Sequence, residues 1–212
     1  GVALLGLGIQ TWSALGGALL SVAVVWLLTR ARPGAPTTTL LLAGVSLNFF
    51  FSSLILFLQY TASFADAYRI LRWLMGGLGG VDLTSVLQMA PFVATGAVVV
   101  QLFSRELDLL ATGSELAASR GVSVAGTRSV LFVTTSLMIG GVVAACGPIG
   151  FVGMMAPHIC RLVLGPGHRL LLPASAVFGG AFLVLCDTAA RVVLAPAELP
   201  VGVITAFFGA PF

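Results

Sequence analysis

The chain contains no lysine, and only 8% of its 212 residues are charged, against about a quarter in an ordinary soluble domain. Without lysine there is no G-x-x-x-x-G-K-[ST] phosphate loop, so this chain does not bind ATP by that route. H-E-x-x-H, G-x-S-x-G and paired carboxylates inside an apolar run are also missing, which argues against hydrolytic chemistry within a membrane. Cysteine is scarce: Cys146, Cys160 and Cys186 are odd in number, far apart and embedded in apolar sequence. They read as small buried residues rather than as a disulfide framework or a spaced metal site. His158 and Cys160 are the one pair near ligand spacing and His168 has no such neighbour, so neither a metal nor another bound cofactor is expected.

What the chain has in quantity is apolar surface, with 58% hydrophobic residues and 26 glycines. A solvent that tolerates such a surface is the bilayer, where small residues let helix backbones approach closely. A spanning helix needs about 20 mostly apolar residues, and Leu4 to Leu28 supplies one, ended by Arg30, Arg32 and the Pro33-Gly34-Ala35-Pro36 turn. A second run extends from about Leu40 to Leu58. The mixed stretch Gln59 to Asp82 reads as a loop with a short interfacial helix, and a third span follows from Leu83 to Phe103. Beyond the polar segment Ser104 to Arg128, a fourth run from Val130 to about Ala145 meets a break at Gly147-Pro148-Ile149-Gly150. A short apolar piece, Phe151 to Leu164, precedes a fifth run, Leu170 to Leu194, and Leu199 to Phe212 opens another helix. The fold class is therefore all-α and polytopic. The chain begins at Gly1 and stops at Phe212 inside an apolar run, so a longer protein, incomplete here at both ends, is expected.

Short cytoplasmic loops are enriched in arginine. Alternating the loops gathers Arg30, Arg32, Arg105, Arg120, Arg128, Arg161 and Arg169 on one side and Arg69, Arg72 and Arg191 on the other. The first side is assigned to the cytoplasm. It carries the segment Thr112-Gly113-Ser114-Glu115-Leu116-Ala117-Ala118-Ser119-Arg120-Gly121. Thr112 and Glu115 have the spacing of a capping box, Gly121 suits a left-handed C-terminal cap, and Arg120 sits at the negative end of the dipole. A helix of about two turns is too short to stand alone; it needs a lipid or a protein surface to rest on. Asp187 and Arg191, spaced i, i+4, can form an ion pair on one helical face, and Asn48 suits an interhelical hydrogen bond.

Several strings resemble the FecCD family, the permease subunits of type II ABC importers for iron-siderophores, haem and vitamin B12. They are Leu40-Leu41-Leu42-Ala43-Gly44-Val45-Ser46-Leu47, Trp73-Leu74-Met75-Gly76-Gly77-Leu78, Gly147-Pro148-Ile149-Gly150-Phe151-Val152-Gly153, Ala156-Pro157-His158-Ile159-Cys160-Arg161-Leu162 and Glu198-Leu199-Pro200-Val201-Gly202-Val203-Ile204-Thr205. The resemblance implies one permease domain over residues 1–212, about helices four to nine and the start of ten of a ten-helix fold. It implies a homodimer in the bacterial cytoplasmic membrane, served by two cytoplasmic ATP-binding cassette subunits and a periplasmic or lipid-anchored solute-binding protein. ATP and Mg would belong to the ATPase partners, the substrate would be a metal chelate, and no nucleic acid is involved. Residue by residue, Thr112 to Gly121 falls on the family's coupling helix and Thr37 and Thr38 on its cytoplasmic gate, although both threonines also suit a helix N-cap. Arg191 falls where the family presents an arginine to a glutamate of the binding protein. Gly167 stands in place of a common acidic residue, and Cys146 in place of alanine. The stretch Trp73 to Asp82 is close to that of vitamin B12 permeases. The broken helix at Gly147-Pro148 also suits a secondary transporter of small solutes, but neither an inverted repeat nor a mid-membrane coupling carboxylate is found.

Overall fold

A computed structural model of the chain describes residues 37–193 and 198–212, with scattered single residues between 13 and 27. Most of the Leu4 to Leu28 run, Arg30, Arg32, the turn at 33–36 and Leu194 lie outside the described residues. Helices account for most of the rest: α1 (Thr37–Thr61), α2 (Phe64–Leu74), α3 (Leu83–Leu102), α4 (Ser104–Ala111), α5 (Ser114–Ser119), α6 (Val124–Cys146), α7 (Val152–Leu164), α8 (His168–Val192) and α9 (Val201–Gly209). There is no strand among the described residues. Segments of α1, α3, α6 and α8 are long and apolar enough to cross a membrane, and at most 17% of any of these segments is buried within the chain. The exposed apolar sides match lipid, which is as apolar as the side chains that face it.

Expected and observed spans agree in number and order over the described residues. The clearest difference is at α6, which starts at Val124 rather than Val130 and takes Arg128 into its first turns. Intrahelical hydrogen bonding propagates beyond the apolar run, because a charged residue at a membrane edge can keep its head in water. The polar segment before it also holds one helix more than the sequence suggested, α4.

The connections are fixed by caps. Ser63 accepts the Asp66 amide at 3.2 Å to start α2. Asp82 starts α3 by accepting the Ser85 amide at 2.8 Å and the Ser85 hydroxyl at 2.6 Å, contacts that hold its carboxyl below the ordinary carboxylate value. Packing follows small residues. Gly96 of α3 faces Met138 of α6 so closely that a Cβ would strike its side chain, and Gly141 lies 3.7 Å from Phe92 when its missing Cβ is built. Gly179 of α8 meets Ala156 and Val152 of α7 in the same way, at 3.4 and 3.5 Å. All three cysteines are buried and unpaired.

At 13 residues, α7 spans about 20 Å, too little for a hydrocarbon core of about 30 Å. The irregular chain from Gly147 to Phe151 covers the remainder, and such backbone is tolerated at that depth only where protein satisfies it. The α2–α3 loop packs directly against this break and bonds the residue before it. Gly77 N–H donates to Cys146 O at 2.8 Å, and Gly202 N–H donates to Gly76 O at 3.2 Å. Three segments thus meet backbone to backbone, with no room for side chains: a Cβ on Gly76 would strike Pro148 O, one on Gly147 would strike Trp73 O, and one on Gly202 would strike Met75 O. Gly76 and Gly147 also have φ of 68° and 69°, a region costly for other residues.

Gly76→Ala should therefore destabilise the protein by more than the roughly 1–3 kcal/mol of a strained backbone alone, because the methyl group also meets a carbonyl. Gly77→Ala, one residue on with open space at its Cβ, should melt within a degree or two of the parent. Thermal unfolding in detergent compares the two. Equal melting temperatures would show that the junction can open to admit a side chain.

Candidate functional site

Polar side chains collect at the two ends of α8, whose 25 residues hold them about 36 Å apart. At the C-terminal end, Arg191 Nε donates to Asp187 Oδ2 at 2.8 Å, the i, i+4 contact that the spacing allows. Glu198, across the turn before α9, places Oε1 3.9 Å from Arg191 Nη1. These groups line a cavity of about 240 Å³ together with Arg69, Arg72 and Trp73 of α2, the Gly77 to Gly80 loop and Cys146. The structure thus gathers at one end the three arginines that loop counting set apart from the other seven. Arg69 also pairs with Asp66 at 3.2 Å, but both are largely exposed, so the contact is worth little. With Asp66, Asp187 and Glu198 beside them, the three guanidinium groups make a balanced cluster of charges rather than a field of one sign.

The opposite end carries α4 and α5. Here the expected capping box is corrected: α5 begins at Ser114 with Gly113 as its N-cap and no side-chain cap bond. Thr112 instead turns its hydroxyl back to Leu109 O at 2.7 Å and closes α4. A hydroxyl directly after one helix is within reach of that helix's orphan carbonyls, and Gly113 at φ 123° breaks the chain between the two helices. The C-terminal cap does form. Gly121 takes φ 86°, its amide donates to Ala118 O at 3.0 Å and the Val122 amide to Ala117 O at 3.0 Å, the paired bonds of a Schellman motif. Ala117 is fully buried, whereas Glu115, Leu116, Ser119 and Arg120 are exposed. The helix stands on one alanine and presents the rest of its surface outward.

Thr37 and Thr38 form the first turn of α1; their side chains lie outside the described residues. His158 is exposed and stacks edge-on with Phe212, ring centroids 5.3 Å apart, while Cys160 is buried. No group of three or more potential metal-ligating side chains occurs among the described residues.

Two contacts were not read from the sequence. Asp108 Oδ1 of α4 lies 2.8 Å from the His168 amide and 2.6 Å from His168 Nδ1. Since a carboxylate only accepts, that ring nitrogen carries the proton and donates. The amide first, then the ring, lowers the Asp108 carboxyl below its ordinary value. Beside it, Gln101 Nε2 at the end of α3 donates to Arg169 O at 2.9 Å. Partners 60 and 68 positions apart leave no local spacing signal; an acidic residue in an amphipathic segment and a histidine after Gly165-Pro166-Gly167 are all that could have suggested them.

Comparison with known proteins places this geometry in a family. A cobalamin import system permease protein from Halobacterium salinarum is 40% identical over 97% of this chain and 55% of its own length. A vitamin B12 import system permease protein from Escherichia coli is 40% identical over 93% of the chain and 60% of its own length. The chain thus spans a little over half the length of these curated relatives. In solved structures, the fold matches one described as an inward-facing conformation of an ABC transporter assigned to the metal-chelate type, with a TM-score of 0.83 and 28% identity over 96% of this chain and 71% of that one. The model of the FecCD transport family matches residues 2–212, and the chain belongs to that family.

Proposed function

We propose that this chain is the greater part of a permease subunit of an ATP-driven ABC importer, which moves a metal chelate such as a ferric siderophore, haem or cobalamin across the bacterial cytoplasmic membrane. The observation that carries the reading is the family match over residues 2–212, supported by two relatives named as vitamin B12 or cobalamin import permeases. In this reading the described helices correspond to about helices five to nine and the start of ten of one domain, and two copies form the conduit. ATP and Mg are used by a pair of separate cassette subunits, and the permease itself catalyses nothing.

Each end of α8 then has its task. The exposed face of α5, with Glu115, Leu116 and Ser119, seats in the ATPase as the coupling helix, its Schellman cap keeping the last turn from unwinding under load. Thr37 and Thr38, at the start of α1 on the same side, line the cytoplasmic gate. At the other end Arg191 uses Nε on Asp187, and its Nη groups, of which Nη1 has only the 3.9 Å approach of Glu198, are offered to a carboxylate of the solute-binding protein. A guanidinium suits that task because its planar fork can bind a carboxylate through two parallel hydrogen bonds.

Replacing Glu115 and Leu116 together by alanine in the full-length protein should lower uptake per ATP hydrolysed by about thirtyfold, the size of a hot-spot loss, while membrane insertion persists. Proteoliposome uptake and phosphate release measure the ratio, and full-rate uptake without any ATPase would refute the reading. For the outer end, Arg191→Glu should weaken docking of the binding protein by about 10- to 100-fold, with recovery when an arginine replaces the facing carboxylate on that protein. Unchanged docking in a pull-down or calorimetric titration would confine Arg191 to its pairing with Asp187.

A further inference from the structure

Helix α8 lacks a cap of its own. Its N-cap position is Gly167, which has no side chain to offer to the free amides of the first turn. One of those amides, that of His168, is taken by Asp108 from a different helix, and the same carboxylate oxygen accepts His168 Nδ1. Asp108 sits in the last turn of α4, separated from α5 only by Thr112 and Gly113. Its negative charge also faces the positive end of the α8 dipole, where a carboxylate is favoured. The ring of His168 is mostly buried, with 15% of its side chain exposed, while the Asp108 side chain is 43% exposed. Gln101 adds a second contact from α3 to the same first turn of α8.

We propose that Asp108 is a positioning residue that fastens the α4–α5 segment to the start of α8, so that a displacement received by α5 is delivered to α8 through this carboxylate. The inference rests on the importer reading, in which α5 takes the stroke of the ATPase. A cap supplied from the same strand of sequence would stabilise α8 equally well but would leave it mechanically independent of α4. A cap supplied from α4 makes the end of α8 move with α4 or lose its hydrogen bonds. Packing of α4 against α8 gives the tie its lever, and α5, two residues further on and packed against α4, has little slack through which to move without it.

The discriminating experiment separates capping from fastening. In the complete transporter in proteoliposomes, Asp108→Ala should lower both the melting temperature and, by about threefold for a part-exposed charged hydrogen bond, the substrate moved per ATP hydrolysed. Adding Gly167→Asp gives α8 a local cap; the melting temperature should recover while uptake per ATP stays low. The proposal is overturned if Asp108→Ala leaves that ratio unchanged, or if Gly167→Asp restores it along with stability. Where the alanine variant does not assemble, Asp108→Ser, whose hydroxyl stops one bond short of the carboxylate oxygen, carries the same comparison. No ATP-dependent uptake by the unmodified transporter would overturn the importer reading, and this proposal with it; retained uptake with an unaltered ratio in the variant would overturn the fastening alone.

Discussion

Backbone amides and carbonyls at membrane depth must find partners within the protein, and the break between α6 and α7 puts that requirement at the centre of this structure. Only four helices have described segments long and apolar enough to satisfy it alone. The α2–α3 loop closes on the last residue of α6 through Gly77 N–H and Cys146 O, and the start of α9 closes on that loop through Gly202 N–H and Gly76 O. Glycines at 76, 147 and 202 let the three backbones touch. The cavity with Arg69, Arg72 and Arg191 lies directly over this junction, because the segments that meet there also carry its lining. Its arginine-bearing face is thus held by main chain rather than by long side chains.

The two ends of α8 use charge differently. Around Arg191 the groups are part exposed and their pairing is loose, with one contact at 2.8 Å and another at 3.9 Å; water and salt weaken such pairs. Around Asp108 two donors converge on a single oxygen, and the histidine is mostly buried. The first arrangement leaves guanidinium groups able to change partner. The second has its hydrogen bonds committed within the chain.

Most of the architecture was legible because membrane helices advertise themselves: long apolar runs, broken by Gly and Pro, mark spans from Leu83, Leu170 and their neighbours within a few residues of the observed bounds. The left-handed glycine after α5 was equally plain, since Gly121 follows a short polar helix and has few other reasons to be there. The start of α5 was misread because T-x-x-E is the same string whether the threonine opens one helix or closes another; the hydroxyl chose Leu109 O. Helix α4 was hidden in a polar stretch whose apolar side becomes meaningful only when α8 lies against it. Pairing of Asp187 with Arg191 follows from helical spacing, but Glu198 and the arginines of α2 reach the same cavity through tertiary structure. Asp108 and His168 are a purely long-range encounter. The resemblance to a family supplied the roles of Thr37, Thr38 and the α5 surface, which no spacing in this chain would have given.

The burial of Cys146, Cys160 and Cys186, with 6%, 7% and 2% of their surfaces exposed, has a chemical consequence. Polar reagents such as methanethiosulfonates reach a thiol only from water, and a thiol packed among apolar side chains gives them no approach. Over the described residues the native chain is therefore nearly silent to polar thiol reagents. A single cysteine introduced on α5 or at the rim of the outer cavity would label against a quiet background, without first removing three residues that pack where little else would fit.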